Sequence, residues 1–271
     1  MKNLIVTLMT ACSFMACGNS QQASNNSEST QTTSEVKASF ADGVLTVNDL
    51  RYEFAKVDAG KFTMGIPEDE VGFQNITAEH EVTLTKNYFM GKTEVTQALW
   101  KAVMGSNPSF TEGDKLPVSY VSWNDCQTFI SKLNAATGKT FRLPTEAEWE
   151  FAARGGNGSK NFKHAGSDNL DEVAWYADNS ESASHEVAMK KPNELGLYDM
   201  DGNVAEWCND WAGSDVVVGD QTDPQGSSEG YSRVVRGHCW GDVASNFGMC
   251  RQIWSPEEGS PTIGLRLCIT E

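Results

Sequence analysis

The pattern of apolar and polar residues predicts short strands in several parts of the chain, with the clearest alternation at Glu81 to Thr85. The strands and the turns between them are expected at Val44 to Val47, Asn48-Asp49, Tyr52 to Val57, Ala59-Gly60, Phe62 to Gly65, Glu81 to Thr85, Arg233 to Arg236 and Ile263 to Ile269. Each run is only a few residues long, so the pattern predicts short strands.

Three short stretches carry helix start signals. Thr96 is expected to cap a helix through Met104, and Asn124 to cap a second helix from Asp125 to about Asn134. Thr145 and Glu148 form a capping box that opens a third helix, through Ala153. Residues 155–232 are rich in Gly, Asn, Asp and Ser and are predicted to be irregular, a length that in a compact domain indicates function or bound ions.

The N-terminal segment resembles a bacterial lipoprotein signal. Residues 1–16 combine a basic start with a short apolar stretch and end in a small residue, Ala16, directly before Cys17. We expect Cys17 to be lipidated and residues 17–38, which are polar and almost free of apolar side chains, to form a disordered tether. The folded domain is then expected over residues 39–271, in the cell envelope, either periplasmic or surface-exposed.

Charge and cysteine content narrow the function classes. The formal net charge of −16 argues against nucleic acid as a partner, and leaves the lipid anchor as the expected membrane contact. Without Cys12 and Cys17, five of the seven cysteines remain, an odd number that leaves at least one thiol free. They lack Cys-x-x-Cys spacing and form no cluster with histidines, so a structural zinc site is not expected.

Six sequence blocks, in order, resemble one family. The blocks are FTMG (62–65), TEVT (93–96), PVSYVSW (117–123), RLPTEAEWEFAARGG (142–156), GLYDMDGNVAEW (196–207), and RVVRG (233–237) followed by GLR (264–266). They resemble the formylglycine-generating enzyme, or sulfatase-modifying factor, family. The resemblance implies an α+β, C-type-lectin-like single domain with small antiparallel sheets, few helices and much irregular structure. Within these blocks, Glu146 and Glu150 are interpreted as partners of buried arginines or backbone amides.

A calcium site is expected in the block from Asp199 to Glu206. Calcium prefers carboxylate and carbonyl oxygens, and the resemblance implies ligation by the side chains of Asp199 and Glu206 and the carbonyls of Gly202 and Val204. Asn179 resembles a ligand of a second family site. The alternative is that the acidic residues face solvent in a turn.

The copper chemistry of the family is expected to be absent. Family members hold copper(I) through two thiols, two and seven residues after an aromatic residue, and these positions here are Asp242 and Phe247, counted from Trp240. A shifted alignment would allow Cys239 and Cys250, with His238, to form a variant copper or thiol site. The alternatives are a disulfide between them or two unrelated core cysteines, and Cys126 and Cys268 are candidates for a second bridge.

Two functions remain open. The first is a non-catalytic binding or assembly module, expected to be monomeric, that contacts a protein or glycan ligand through the loop between Trp240 and Gly264. The predicted contact residues are His238, Trp240, Asp242, Phe247 and Trp254. The second is a variant formylglycine-generating oxidase that acts on a cysteine of a sulfatase or another protein.

Overall fold

Strand pairing organises the molecule into three small sheets. The computed structural model describes residues 36–66, 79–213, 219–248 and 251–271, and Val36–Glu271 forms a compact unit. The predicted signal peptide, Cys17, most of the tether and Cys250 lie outside the described residues.

The six-stranded sheet has the order β1-β2-β3-β6-β13-β7, and every neighbouring pair in it is antiparallel. Its strands are β1 (Ala38–Ala41), β2 (Val44–Val47), β3 (Leu50–Val57), β6 (Tyr88–Gly91), β7 (Phe141–Arg142) and β13 (Cys268–Thr270). The last strand of the chain, β13, therefore pairs with β6 on one side and β7 on the other, in the same sheet as the first strand, β1.

The other two sheets are mixed. One has the order β11-β10-β8-β12 and the other β4-β5-β9. Their strands are β4 (Gly60–Met64), β5 (His80–Leu84), β8 (Ala205–Trp211), β9 (Gln221–Thr222), β10 (Arg233–Arg236), β11 (Gln252–Trp254) and β12 (Ile263–Gly264). The β12–β8 and β5–β9 pairs are parallel, and the other strand pairs of these two sheets are antiparallel, as expected for small antiparallel sheets.

Four α-helices accompany the sheets in the described residues: α1 (Gln97–Met104), α2 (Trp123–Thr137), α3 (Glu146–Ala153) and α4 (Leu170–Val173). Thr96 caps α1, and Thr145 with Glu148 forms the predicted capping box of α3. The start of α2 was predicted two residues late, because Ser122 and not Asn124 is the N-cap, with Asp125 completing a capping box.

Two further predictions needed correction. The predicted strand from Ile263 to Ile269 is two strands, separated by residues that turn Arg266 into the interior. The supposedly irregular region 155–232 contains β8, whose first four residues are all buried. A strand buried on both faces shows no alternation of polar and apolar residues, which explains why the pattern missed it.

Two apolar clusters form the core. In one, Trp100 of α1 stacks on Phe129 of α2, with ring centroids 4.8 Å apart, beneath the six-stranded sheet. In the other, Trp149 of α3 packs beside strands from all three sheets. The α+β, few-helix architecture predicted from the sequence is confirmed.

Candidate functional site

Glu206 lies at the centre of a buried ion pair. Its two carboxylate oxygens accept hydrogen bonds of 2.6 to 3.0 Å from Arg266, and Trp149 Nε1 donates a further bond of 2.7 Å. Both charged side chains are fully buried. Arg266 also donates to the carbonyls of Gly91 and Tyr198, so the guanidinium joins the sheet to the Asp199 loop. Burial alone would lower the pKa of Arg266, but the charge of Glu206 raises it above its ordinary value.

Asp199 faces a second buried acid, Glu94. Its Oδ2 accepts from the backbone N–H of Ala188 at 2.7 Å, whereas Oδ1 and Glu94 Oε2 are buried without a hydrogen-bond partner. The charge of Asp199 adds to the effect of burial in raising the pKa of Glu94, so a proton or a cation between the two carboxyl groups would stabilise both. Burial raises the pKa of Asp199 to about 6 and raises that of Glu94 well above its ordinary value.

The remaining predicted calcium ligands are held by local structure. Gly202 has φ of +79°, and a Cβ there would lie 2.3 Å from the carbonyl oxygen of Trp175. Val204 is buried and donates its N–H to Glu94 at 3.4 Å. Asn179 closes a turn, accepting from the N–H of Tyr176 and donating to Asp171 and to the carbonyl of Ala174.

These side chains fit calcium only in part. Asp199 and Glu94 offer oxygens that lack donors, but Glu206 is already neutralised by Arg266. Across the parts of the chain that the structure describes, no group of three or more His, Cys, Asp or Glu side chains could hold a metal ion. The calcium site therefore stays a prediction, and the oxygens open to a cation belong to Asp199 and Glu94.

Glu146 and Glu150 hold arginines, as predicted. Arg236 donates to Glu146 at 3.0 Å and to Glu150 at 2.7 Å, and both acids are buried. Glu146 also pairs with Arg251, and Glu150 with Arg154 and the N–H of Gly65. Every one of these charges has a partner, so the cluster ties α3 to β10 and is not poised for acid or base chemistry.

The residues that follow β10 make a closed turn around Cys239. Asp242 accepts from the N–H of Cys239 at 2.9 Å and lies 3.5 Å from Nδ1 of His238. Burial, reinforced by the charge of Asp242, raises the pKa of the Cys239 thiol to about 12. Burial works against ionisation of Asp242 as well, but the hydrogen bond to His238 lowers its pKa to about 2. The thiol therefore stays protonated beside a carboxylate, the opposite of a thiolate prepared to bind copper.

The predicted contact loop is only partly exposed. Phe247 is 6% exposed and packs on the rings of His238 and Tyr176, so the prediction that it faces a ligand was wrong. His238 is also buried, and Trp240 is half-buried, with its backbone held by Asn203 and Ser180. Trp254, at 41% exposed, is the predicted contact residue that is open to solvent.

The cysteine pairing predicted for Cys126 and Cys268 was also wrong. Both thiols are free and buried, and they belong to different apolar clusters. Cys239 forms no disulfide with any described cysteine. A Cys239–Cys250 bridge is not tested, because Cys250 lies outside the described residues.

Sequence reasoning missed a half-buried arginine, Arg233, between two tryptophans. Its guanidinium carbon lies 3.8 Å from the ring centroid of Trp123 and 3.4 Å from that of Trp211. Nη1 donates to the carbonyl of Asn209 at 2.6 Å, and Nε is buried without a partner. The three side chains come from α2, β8 and β10, so no local spacing links them.

No helix among the described residues is both long enough and apolar enough to span a bilayer.

Comparison with known proteins places the domain in context. The family described as "Sulfatase-modifying factor enzyme 1-like domain" matches residues 47–271. Chaperone protein LppX of Paenibacillus barcinonensis is 36% identical, over 65% of this chain and 76% of that protein. A formylglycine-generating enzyme of Streptomyces coelicolor is 32% identical, over 64% of this chain and 58% of the enzyme. Among solved structures, Treponema denticola variable protein 1 superimposes with a TM-score of 0.76 at 33% identity, covering 84% of this chain and 98% of that one.

Proposed function

The chain belongs to the sulfatase-modifying factor family, and we propose that its domain is a non-catalytic binding or assembly module of an exported lipoprotein. The observation that carries the proposal is the pair of residues at the family's copper positions, Asp242 and Phe247, which stand in place of cysteines. The thiol nearby, Cys239, is 8% exposed, and burial raises its pKa. A two-thiolate copper(I) site needs ionised, accessible sulfurs.

Relatives support a binding role without assigning one. One relative is named a chaperone and one structural neighbour a variable protein, so the fold occurs outside the enzymes named for formylglycine generation. The ligand we propose is a protein or glycan. We further propose that Cys17 carries the lipid that holds a monomeric domain at the cell envelope, periplasmic or surface-exposed, with the tether as spacer.

The test is an oxidation assay on the purified domain. The domain is titrated with copper(I), and oxygen-dependent oxidation of a peptide that carries a sulfatase cysteine motif is followed by mass spectrometry. We expect no turnover. Turnover that disappears in Cys239→Ser or Cys250→Ser, and persists in Cys126→Ser as the matched control, would establish the alternative oxidase and overturn the proposal.

We propose calcium as a structural cation centred on Asp199. The support is the pair of buried oxygens, Asp199 Oδ1 and Glu94 Oε2, that lack donors. A cation between these two oxygens would neutralise the repulsion between the carboxylates, as a shared proton does when no cation is bound. Calorimetric melting with calcium and with chelator should give a higher melting temperature with calcium, and Asp199→Asn should abolish the difference. Equal melting temperatures of the unmodified domain with calcium and with chelator would contradict the proposed calcium site.

A further inference from the structure

Four side chains form one continuous surface feature on the four-stranded sheet. In the strand register, Trp254 of β11 lies directly opposite Arg233 of β10, and Arg233 lies opposite Trp211 of β8. Directly paired residues point to the same face of a sheet. Trp123 covers the second face of the Arg233 guanidinium. We call Trp254, Arg233, Trp211 and Trp123 the tryptophan–arginine row.

The guanidinium in this row has no ion-pair partner among the residues that the structure describes. Of the seven arginines, all of them described, Arg142, Arg154, Arg236, Arg251 and Arg266 each form an ion pair with a glutamate. Arg233 forms none with any described residue, although the chain carries a net charge of −16. Asp210 is near enough to influence it but is not within ion-pair distance. Arg51 likewise has no ion pair with a described residue, but its side chain is exposed, whereas Arg233 is half-buried.

Stacking fixes the orientation of the cation. Indoles lie on both faces of the guanidinium plane, which leaves only its edges for hydrogen bonds. Nη1 is used by the Asn209 carbonyl, whereas Nη2 makes no hydrogen bond to described residues and is not among the buried unpaired atoms. A fixed, partly desolvated guanidinium edge next to exposed Trp254 is complementary to a carboxylate with a ring or apolar group beside it.

We propose that the tryptophan–arginine row is the recognition site for a peptide segment of a partner protein that presents a carboxylate next to an aromatic side chain. This inference rests on the proposed binding function and names the class of ligand. A neutral glycan fits less well, because its hydroxyls carry no charge to complement the guanidinium. The row offers one guanidinium, and the Trp123 indole N–H is already donated to the Cys208 carbonyl.

Binding is tested on the whole chain with named dipeptides. Acetyl-Glu-Phe-amide carries a side-chain carboxylate, acetyl-Gln-Phe-amide is its neutral isostere, and acetyl-Gln-Phe with a free C-terminus carries a terminal carboxylate. Titrations are followed by the indole N–H signals of an isotope-labelled sample. We expect a dissociation constant of about 1 mM for at least one carboxylate peptide, and binding about tenfold weaker for the neutral isostere. The affinities of the two carboxylate peptides show whether the row prefers a side-chain carboxylate or the carboxylate of a chain terminus.

Variants connect the binding to Arg233. Arg233→Gln is expected to weaken the carboxylate peptides about tenfold, and Trp254→Ala about threefold, whereas Arg51→Gln, which removes an exposed charge on β3, leaves binding unchanged. Arg233→Lys keeps the positive charge but lacks the planar guanidinium edge, so its affinity for the carboxylate peptides should lie between those of Arg233→Gln and Trp254→Ala. It also serves as the informative variant should the glutamine variant fail to fold.

Three results would overturn the inference: no carboxylate peptide binds at about 10 mM, Arg233→Gln binds as the unmodified chain does, or D-glucuronate binds while the peptides do not. The oxidation assay has an independent readout. If the peptides do not bind and no copper-dependent turnover is found, this ligand class is wrong but the proposed binding function still stands. If copper-dependent turnover is found, the proposed binding function itself is wrong.

Discussion

Two arginines on one four-residue strand have opposite environments. Arg236, at the end of β10, is 2% exposed and donates to Glu146 and Glu150. Arg233, at its beginning, is half-buried and lies between two indoles with a single backbone acceptor. Since the residue type and strand are the same, the difference comes from what the tertiary fold brings to each end.

The comparison separates structural charge from charge available to a ligand. A buried guanidinium without carboxylates would be very costly, so Arg236 is retained only with its partners. Arg233 keeps part of its surface in water and gains from the indoles, so it tolerates the lack of a carboxylate. We therefore expect substitutions at the buried arginines to act on stability, and substitution at Arg233 to act mainly on binding.

The largest effect is expected at the other buried arginine, Arg266, which is fully buried. Arg266→Met leaves Glu206 buried, with Trp149 as its one remaining side-chain partner. Breaking a buried pair in this way costs about 3 to 5 kcal/mol. Urea unfolding monitored by tryptophan fluorescence measures the loss. Surface ion pairs contribute less than about 1 kcal/mol to the free energy of unfolding. A loss that small would contradict the claim that the Arg266–Glu206 pair stabilises the fold.

The comparison on β10 itself is tested by matched substitutions. Arg236→Met should lower the free energy of unfolding by about 2 to 3 kcal/mol, less than Arg266→Met, because Glu146 keeps Arg251 and Glu150 keeps Arg154. Arg233→Met should cost about 1 kcal/mol, the scale of its cation–π contacts. The same urea unfolding measures both variants. Equal losses of unfolding free energy in Arg236→Met and Arg233→Met would contradict the claim that only Arg236 has a mainly structural role.

Asp210 lies between the two environments, since it accepts from the N–H of Glu146 and influences Arg233. Burial, with the charge of Glu146, raises its pKa from 3.8 to about 7. The folded state therefore holds a proton that the unfolded state releases, so the free energy of unfolding should fall as pH rises from about 4 to 7. Asp210→Asn should remove about 2 kcal/mol of that fall between pH 5 and 7. Parallel pH profiles for the two proteins would contradict the assignment.

The last prediction concerns reactivity, not stability, in the turn after β10. With its pKa raised to about 12, Cys239 should react with iodoacetamide at pH 8 about a hundredfold more slowly than an ordinary thiol. Peptide mapping by mass spectrometry follows its labelling, and the urea-unfolded protein provides the control rate. Rapid labelling of Cys239 in the folded protein would mean that the turn opens and that the thiol is available for chemistry.

Local sequence by itself determined the elements whose causes are local. Thr145 and Glu148 specify the start of α3 because the cap bonds join residues three apart. Short runs of strand-forming residues, mainly valine, located β2 and β10. The blocks from Arg142 to Gly156 and from Gly196 to Trp207 carried the family resemblance, and with it the α+β fold.

Tertiary structure decided the state of the candidate site. Phe247 looked like a contact residue but packs beneath His238, and Glu206 looked like a calcium ligand but pairs with Arg266. Arg233 was inconspicuous in the sequence because its stacking partners are 110 and 22 positions away. Local pattern reports a residue's immediate neighbours, whereas burial, ion pairing and exposure depend on groups that only the folded chain brings within reach.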